Sequence, residues 1–127
     1  DHRDLHSFPT RRSSDLKDDA KSGHLFIPTE LLQNANVSKE TPMSILEDKN
    51  LSSAREALSK DAQKCFVTAQ RFLSKMNKKS VMSLFYLANL SHCYFEQMNN
   101  RGWEIISPKP NINNLNKLKL IIKTLFA

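Results

Sequence analysis

Glycine is nearly missing, with 2 residues in 127. So small a supply excludes the Gly-rich loops that cradle nucleotide phosphates, and the three-glycine dinucleotide fingerprint does not occur. No segment alternates apolar and polar residues in steps of two, the pattern of a half-buried strand. Cysteine is limited to Cys65 and Cys93. Each lies on an apolar helical stripe, which fits a reduced, cytoplasmic interior better than a disulfide framework. No apolar run approaches the roughly 18 residues of a spanning helix, and the first residues lack the apolar centre of a secretory signal. What these absences leave is an all-α chain.

Basic residues exceed acidic ones, for a formal charge of +6. Residues 1–16 look like the translation of a common sequencing-library adapter and are set aside as a fusion scar would be. Within them Arg3, Arg11 and Arg12 balance Asp1, Asp4 and Asp15, so the excess belongs to the remainder. A basic balance permits nucleic acid, an acidic membrane or a diphosphate as partner. The lysines are scattered, clustering only at Lys78/Lys79 and at Lys117/Lys119/Lys123, and no nucleic-acid-binding motif is present, so no nucleic-acid partner is expected.

The strongest periodicity runs through Leu51, Ala54, Leu58, Ala62, Cys65, Ala69, Phe72 and Met76, in steps of three and four. It predicts an amphipathic helix about 39 Å long, started by Asn50 or by a Ser53/Glu56 capping box, with Arg55, Lys60, Gln63, Lys64 and Gln70 on its solvated face. A second long helix is predicted over residues 79–99. Val81, Leu84, Ala88, Phe95 and Met98 form its stripe, which Phe85, Leu87, Leu90 and Tyr94 widen enough for burial on more than one side. His92 beside Cys93 makes a poor metal pair, since adjacent helical residues diverge by about 100°. Gly102 supplies the stop.

Shorter elements fill in around this pair. Residues 29–35 read as a short helix behind Pro28, and Asn36 ends it. One further helical turn is expected over residues 43–48. Residues 105–111 hold Pro108 and Pro110 and must be irregular. A last helix over residues 114–126 places Leu115, Leu118, Ile122 and Leu125 on one side and Lys117 and Lys123 on another. Packing of the apolar side against the bundle is the expectation, and the alternative is an acidic membrane surface.

Residues 15–28 join a chemical constellation to an abrupt change of backbone. Asp15 and Asp19 are four apart, so on a helix their carboxylates project one turn apart from one face, where two oxygen donors can hold a hard cation. Gly23 then offers a left-handed stop, and Leu25, Phe26 and Ile27 run extended into Pro28.

This stretch resembles the second aspartate-rich motif of the squalene/phytoene synthase family, Asp-x-x-Glu-Asp-x-x-x-Gly-Arg-x-Tyr-Leu-Pro. Asp15 and Asp19 fill the aspartate positions, Asp18 the neighbouring acid, and Gly23 and Pro28 the glycine and proline. His24 stands where the family has arginine, and Phe26 where it has tyrosine. Arg101, Gly102 and Trp103 resemble the Arg-Gly-Trp that closes a helix in the bacterial presqualene diphosphate synthase branch. Ser91 holds a place where that branch usually has tyrosine.

The resemblance implies the C-terminal part of an isoprenoid-synthase helical bundle, with two long antiparallel helices and several shorter ones. Residues 17–127 would correspond to the later portion of a longer domain, without the family's first aspartate-rich motif, and so inactive alone. The implied reaction condenses two farnesyl diphosphates head to head. Asp15 and Asp19 would be the catalytic ligands of Mg2+, while Asp18, His24 and Phe26 would meet the isoprenoid diphosphate. A non-catalytic helical member, acting as a binding or assembly factor, is the rival reading that His24 and Phe26 keep open.

Overall fold

The computed structural model describes residues 16–38 and 40–126. They form six helices, α1 (Leu16–Lys21), α2 (Thr29–Asn34), α3 (Pro42–Leu46), α4 (Leu51–Leu73), α5 (Lys78–Arg101) and α6 (Asn114–Phe126). No strand occurs among the described residues, and the all-α expectation holds.

Local chemistry sets most of the boundaries. Behind α2, Asn36 takes a left-handed φ of 57°. The Asn36 N–H then donates to the Gln33 carbonyl and the Val37 N–H to that of Leu32, at 2.9 Å each. This is a Schellman ending, in which Val37 and Leu32 also share an apolar cluster. α3 opens with a reciprocal capping box between Thr41 and Ser44, with Pro42 in its first turn. The Asn77 side chain caps α5 by accepting from the Lys79 N–H at 3.0 Å. α5 ends at Gly102, whose φ of 97° suits a residue without a Cβ. The Ser53/Glu56 box does not form. Asn50 is the N-cap of α4, but its side chain bonds outward to the Asn36 carbonyl at 3.3 Å.

α4 and α5 run antiparallel. Ala62 and Phe66 of α4 cluster with Phe95 and Met98 of α5, whereas Leu73 meets Val81 and Ala88 near the connecting turn. α6 packs on α5, α2 on α4, and α1 on α3. A separate cluster gathers Leu16, Ile27, Leu32, Val37, Ile45, Leu51 and Ala54, with Ile106 against it. The short helices are thereby anchored to the first turn of α4, support that helices of five or six residues need because they are unstable alone.

Three expectations are corrected. The buried stripe of α4 leaves the predicted register after Ala62, passing through Phe66 and Leu73 while Cys65, Phe72 and Met76 are exposed. Phe66 meets His92 and Phe95 edge-on at 5.3 and 5.7 Å. The α5 aromatics therefore take the larger neighbour in place of Cys65. Leu84 is exposed as well, because α5 turns Val81 and Ala88 inward.

The second correction is Arg55, expected in solvent and found 1 % exposed. Its Nη1 donates to the carbonyls of Trp103 and of Ile105, the latter at 3.1 Å, and its guanidinium lies 5.6 Å from the Trp103 ring centre. Burial, then the Arg101 charge, push Arg55 down to about 10, and Glu104 opposes them. It stays cationic at neutral pH. The third correction is α6. Thr124 and not the leucine face turns inward, so Leu115, Leu118, Ile122 and Leu125 are exposed.

Removing Arg55 strands two carbonyls that it satisfies. Arg55→Ala is expected to cost about 3 kcal/mol in urea unfolding, and Arg55→Lys to recover only part of that, since an ammonium lacks the planar fork. Lys60→Ala on the exposed face should stay within about 0.5 kcal/mol of the parent.

Candidate functional site around α1

α1 is oriented by its two apolar residues. Leu16 and Ala20, one turn apart, are 0 % and 3 % exposed, which turns Asp18 into solvent and leaves Asp19 half-buried. The helix stops through a second Schellman arrangement. The His24 N–H donates to the Asp19 carbonyl at 2.9 Å and the Gly23 N–H to that of Ala20 at 3.0 Å, with Gly23 at a φ of 82°. The left-handed stop read at Gly23 is therefore present. It folds His24 back over the C-terminal end of the acidic helix.

His24 and Phe26 are both exposed, and their rings lie 6.0 Å apart at an interplanar angle of 34°. The structure thus brings together Asp19, His24 and Phe26 around one turn. Asp18 is engaged differently, in an ion pair with Lys109 from the segment that follows α5. The hydrogen bond from Lys109, then its charge, hold the Asp18 carboxyl below its ordinary value of 3.8. Asp15 lies outside the described residues.

Asp18 and Asp19 offer hard oxygen donors and no soft ones. Magnesium suits such a set because it commonly takes one or two carboxylates and completes its shell with water and substrate phosphate. Among the described residues no group of three or more His, Cys, Asp or Glu side chains gathers to form a cage unaided.

The sequence reading missed the placement of two residues that shape this region. Lys109 sits between Pro108 and Pro110 in a segment treated only as irregular, and nothing in its spacing pairs it with Asp18. Its placement depends on Arg101, which donates to the carbonyls of Pro108 and of Ile105, the latter at 3.2 Å. Arg55 shares the Ile105 carbonyl from the other side. A signal for Arg55 did exist. It lies four residues after Leu51 and three before Leu58, on the apolar side of α4.

A groove of about 370 Å3 runs between α5 and α6, and its lining includes Cys93, Glu96, Lys119 and Lys123 but no residue of α1 or of the turn behind it. Burial, then Glu96, raise the Cys93 thiol, which disfavours the nucleophilic thiolate. Cys65 and Cys93 are both free.

The family model described as squalene/phytoene synthase matches residues 10–115, and the chain belongs to that family. The match spans α1, Gly23, Pro28 and Arg101-Gly102-Trp103. No curated protein and no solved structure matches the chain.

The Asp18–Lys109 pair carries a defined pH dependence. A carboxyl whose folded pKa is depressed contributes stability above its unfolded value and loses it as pH falls through the folded one. The thermal midpoint of the parent should therefore exceed that of Lys109→Met at neutral pH, and the gap should close as pH falls below the ordinary carboxyl value of 3.8. In Lys109→Met the Asp18 carboxyl, followed by NMR, should return toward 3.8.

Proposed function

We propose that this member of the squalene/phytoene synthase family serves the head-to-head condensation of two farnesyl diphosphates to presqualene diphosphate. The family match carries the isoprenoid-synthase reading, and Arg101-Gly102-Trp103 favours the presqualene branch. The observation that carries the site is α1 itself, whose buried Leu16 and Ala20 turn Asp18 into solvent and leave Asp19 half-buried. Asp15, four residues before Asp19 in sequence and outside the described residues, is the remaining proposed ligand.

In this reading the diphosphate lies against the exposed end of α1. Asp19, with Asp15, would hold Mg2+, which when bound offsets charge on the departing diphosphate. Lys109 brings a cation to the same place, and after release of Asp18 it can meet a phosphate oxygen. The exposed Phe26 ring offers apolar contact to the first carbons of the prenyl chain. When the allylic carbon–oxygen bond breaks, the electron pair leaves with the diphosphate, and apolar helical walls keep water from the carbocation.

The substrates are lipids, and the reading places the chain at a membrane surface. No helix among the described residues is long and apolar enough to cross one.

A second reading, a non-catalytic binding or assembly factor, draws on His24 and Phe26 standing where the family pattern has arginine and tyrosine. In a version extended by the family's upstream acidic helix, His24→Arg with Phe26→Tyr should raise synthase turnover if the first reading holds, and leave function unchanged under the second.

Farnesyl thiodiphosphate titrated calorimetrically into the chain with magnesium tests the site. Asp19→Asn should weaken binding by about tenfold or more, since even residues outside a metal's ligand shell are worth that much, and unchanged affinity would refute the assignment. The 127-residue chain, carrying one of the family's two acidic motifs, is expected to bind without turning over farnesyl diphosphate.

A further inference from the structure

Lys109 has a fixed root and a half-exposed head. Before it, Arg101 donates to the carbonyls of Ile105 and Pro108. After it, Gln97 donates to the Asn111 carbonyl at 3.0 Å, and Ile112 is buried. Pro108 and Pro110, its two neighbours, each fix a backbone angle as well. The side chains of Lys109 and Asp18 are nevertheless 51 % and 56 % exposed. An ion pair so open to water is easily broken, since exposed pairs shift an equilibrium by less than about fivefold. The backbone thus delivers the ammonium to α1 without locking it there.

That position sets two cations in opposition. Lys109 pairs with Asp18, and the next residue is Asp19, assigned above to Mg2+. A divalent ion on Asp19 and an ammonium on Asp18 would stand side by side at one helical turn and repel each other. A diphosphate reverses the balance, because its oxygens can meet a metal ion and a lysine together.

We propose that Lys109 sets the order in which this site loads. Paired with Asp18 in the ligand-free chain, it opposes Mg2+ at Asp19, and by turning to an arriving diphosphate it removes that opposition. The proposal rests on the diphosphate site proposed above and adds its regulation. Metal and diphosphate are thereby coupled, each raising the affinity for the other.

Two titrations of the full chain at neutral pH, followed by the amide NMR signals of Asp19, Gly23 and His24, test this. One uses Mg2+ alone, and the other uses inorganic pyrophosphate with Mg2+ present. Lys109→Met should tighten binding of Mg2+ alone by about two- to fivefold and weaken that of pyrophosphate by about tenfold. The opposite signs are the signature, because loss of a lysine that merely held the fold would weaken both. Lys109→Arg keeps the charge and should stay within about twofold of the parent for Mg2+ alone. Lys60→Met removes the same charge and also breaks an exposed ion pair, with Glu56; far from α1, it should change each affinity by less than about twofold. Circular dichroism confirms that each variant is folded. The proposal is overturned if Lys109→Met fails to tighten Mg2+ or to weaken pyrophosphate, if Lys60→Met matches its effects, or if the parent's signals respond to neither titrant. Pyrophosphate carries no prenyl chain, so a parent that binds it as tightly as farnesyl thiodiphosphate would refute the isoprenoid reading and leave the role of Lys109 standing. Tighter binding of the thiodiphosphate, with Mg2+ affinity unaltered in Lys109→Met, would do the reverse.

Discussion

A buried guanidinium needs acceptors, and the fold supplies them from the segment that follows α5. Arg55, one turn into α4, takes the carbonyls of Trp103 and Ile105 and lies over the Trp103 ring. Trp103 in turn closes the aromatic cluster of Phe66, Phe95 and Met98. Desolvating such a charge is costly unless its donors are met, so the path of residues 103–105 is specified closely. Arg101 continues the stitching to Pro108, and the next residue is Lys109. Asp18 thus receives Lys109 from a segment that two arginines hold in place.

The same segment joins two apolar clusters. Ile106 packs on the cluster that holds Leu16 and the short helices, while Trp103 belongs to the one between α4 and α5. A short helix with only Leu16 and Ala20 to bury contributes little to its own stability. Its orientation is inherited from these neighbours. Asp18 and Asp19 are accordingly a surface property of a core assembled elsewhere.

Much of this was legible in the residues. Steps of three and four located α4 and α5, Gly23 and Gly102 marked left-handed stops, and Pro28 and Asn36 bounded α2, because each of these signals is local. What resisted reading was relational. Cys65 and Phe66 are both compatible with the stripe of α4, and only the rings of His92 and Phe95 choose between them. Arg55 occupied an apolar position yet was assigned to solvent by its charge, since its acceptors lie some fifty residues away in sequence. Lys109 carries no spacing relation to Asp18. The face of α6 showed its amphipathy plainly, but which side faces the bundle is settled by Asn89 meeting Thr124, a contact that hydropathy does not register.

The link between Asp18 and Lys109 also has a temporal side. A ribosome delivers α1 long before the segment following α5, and closing so large a loop is entropically slower than forming the local helices. Between the emergence of α1 and that of the segment following α5, the nascent chain would thus display the Asp18 carboxylate without Lys109. The ion pair between them forms only once that later segment has emerged.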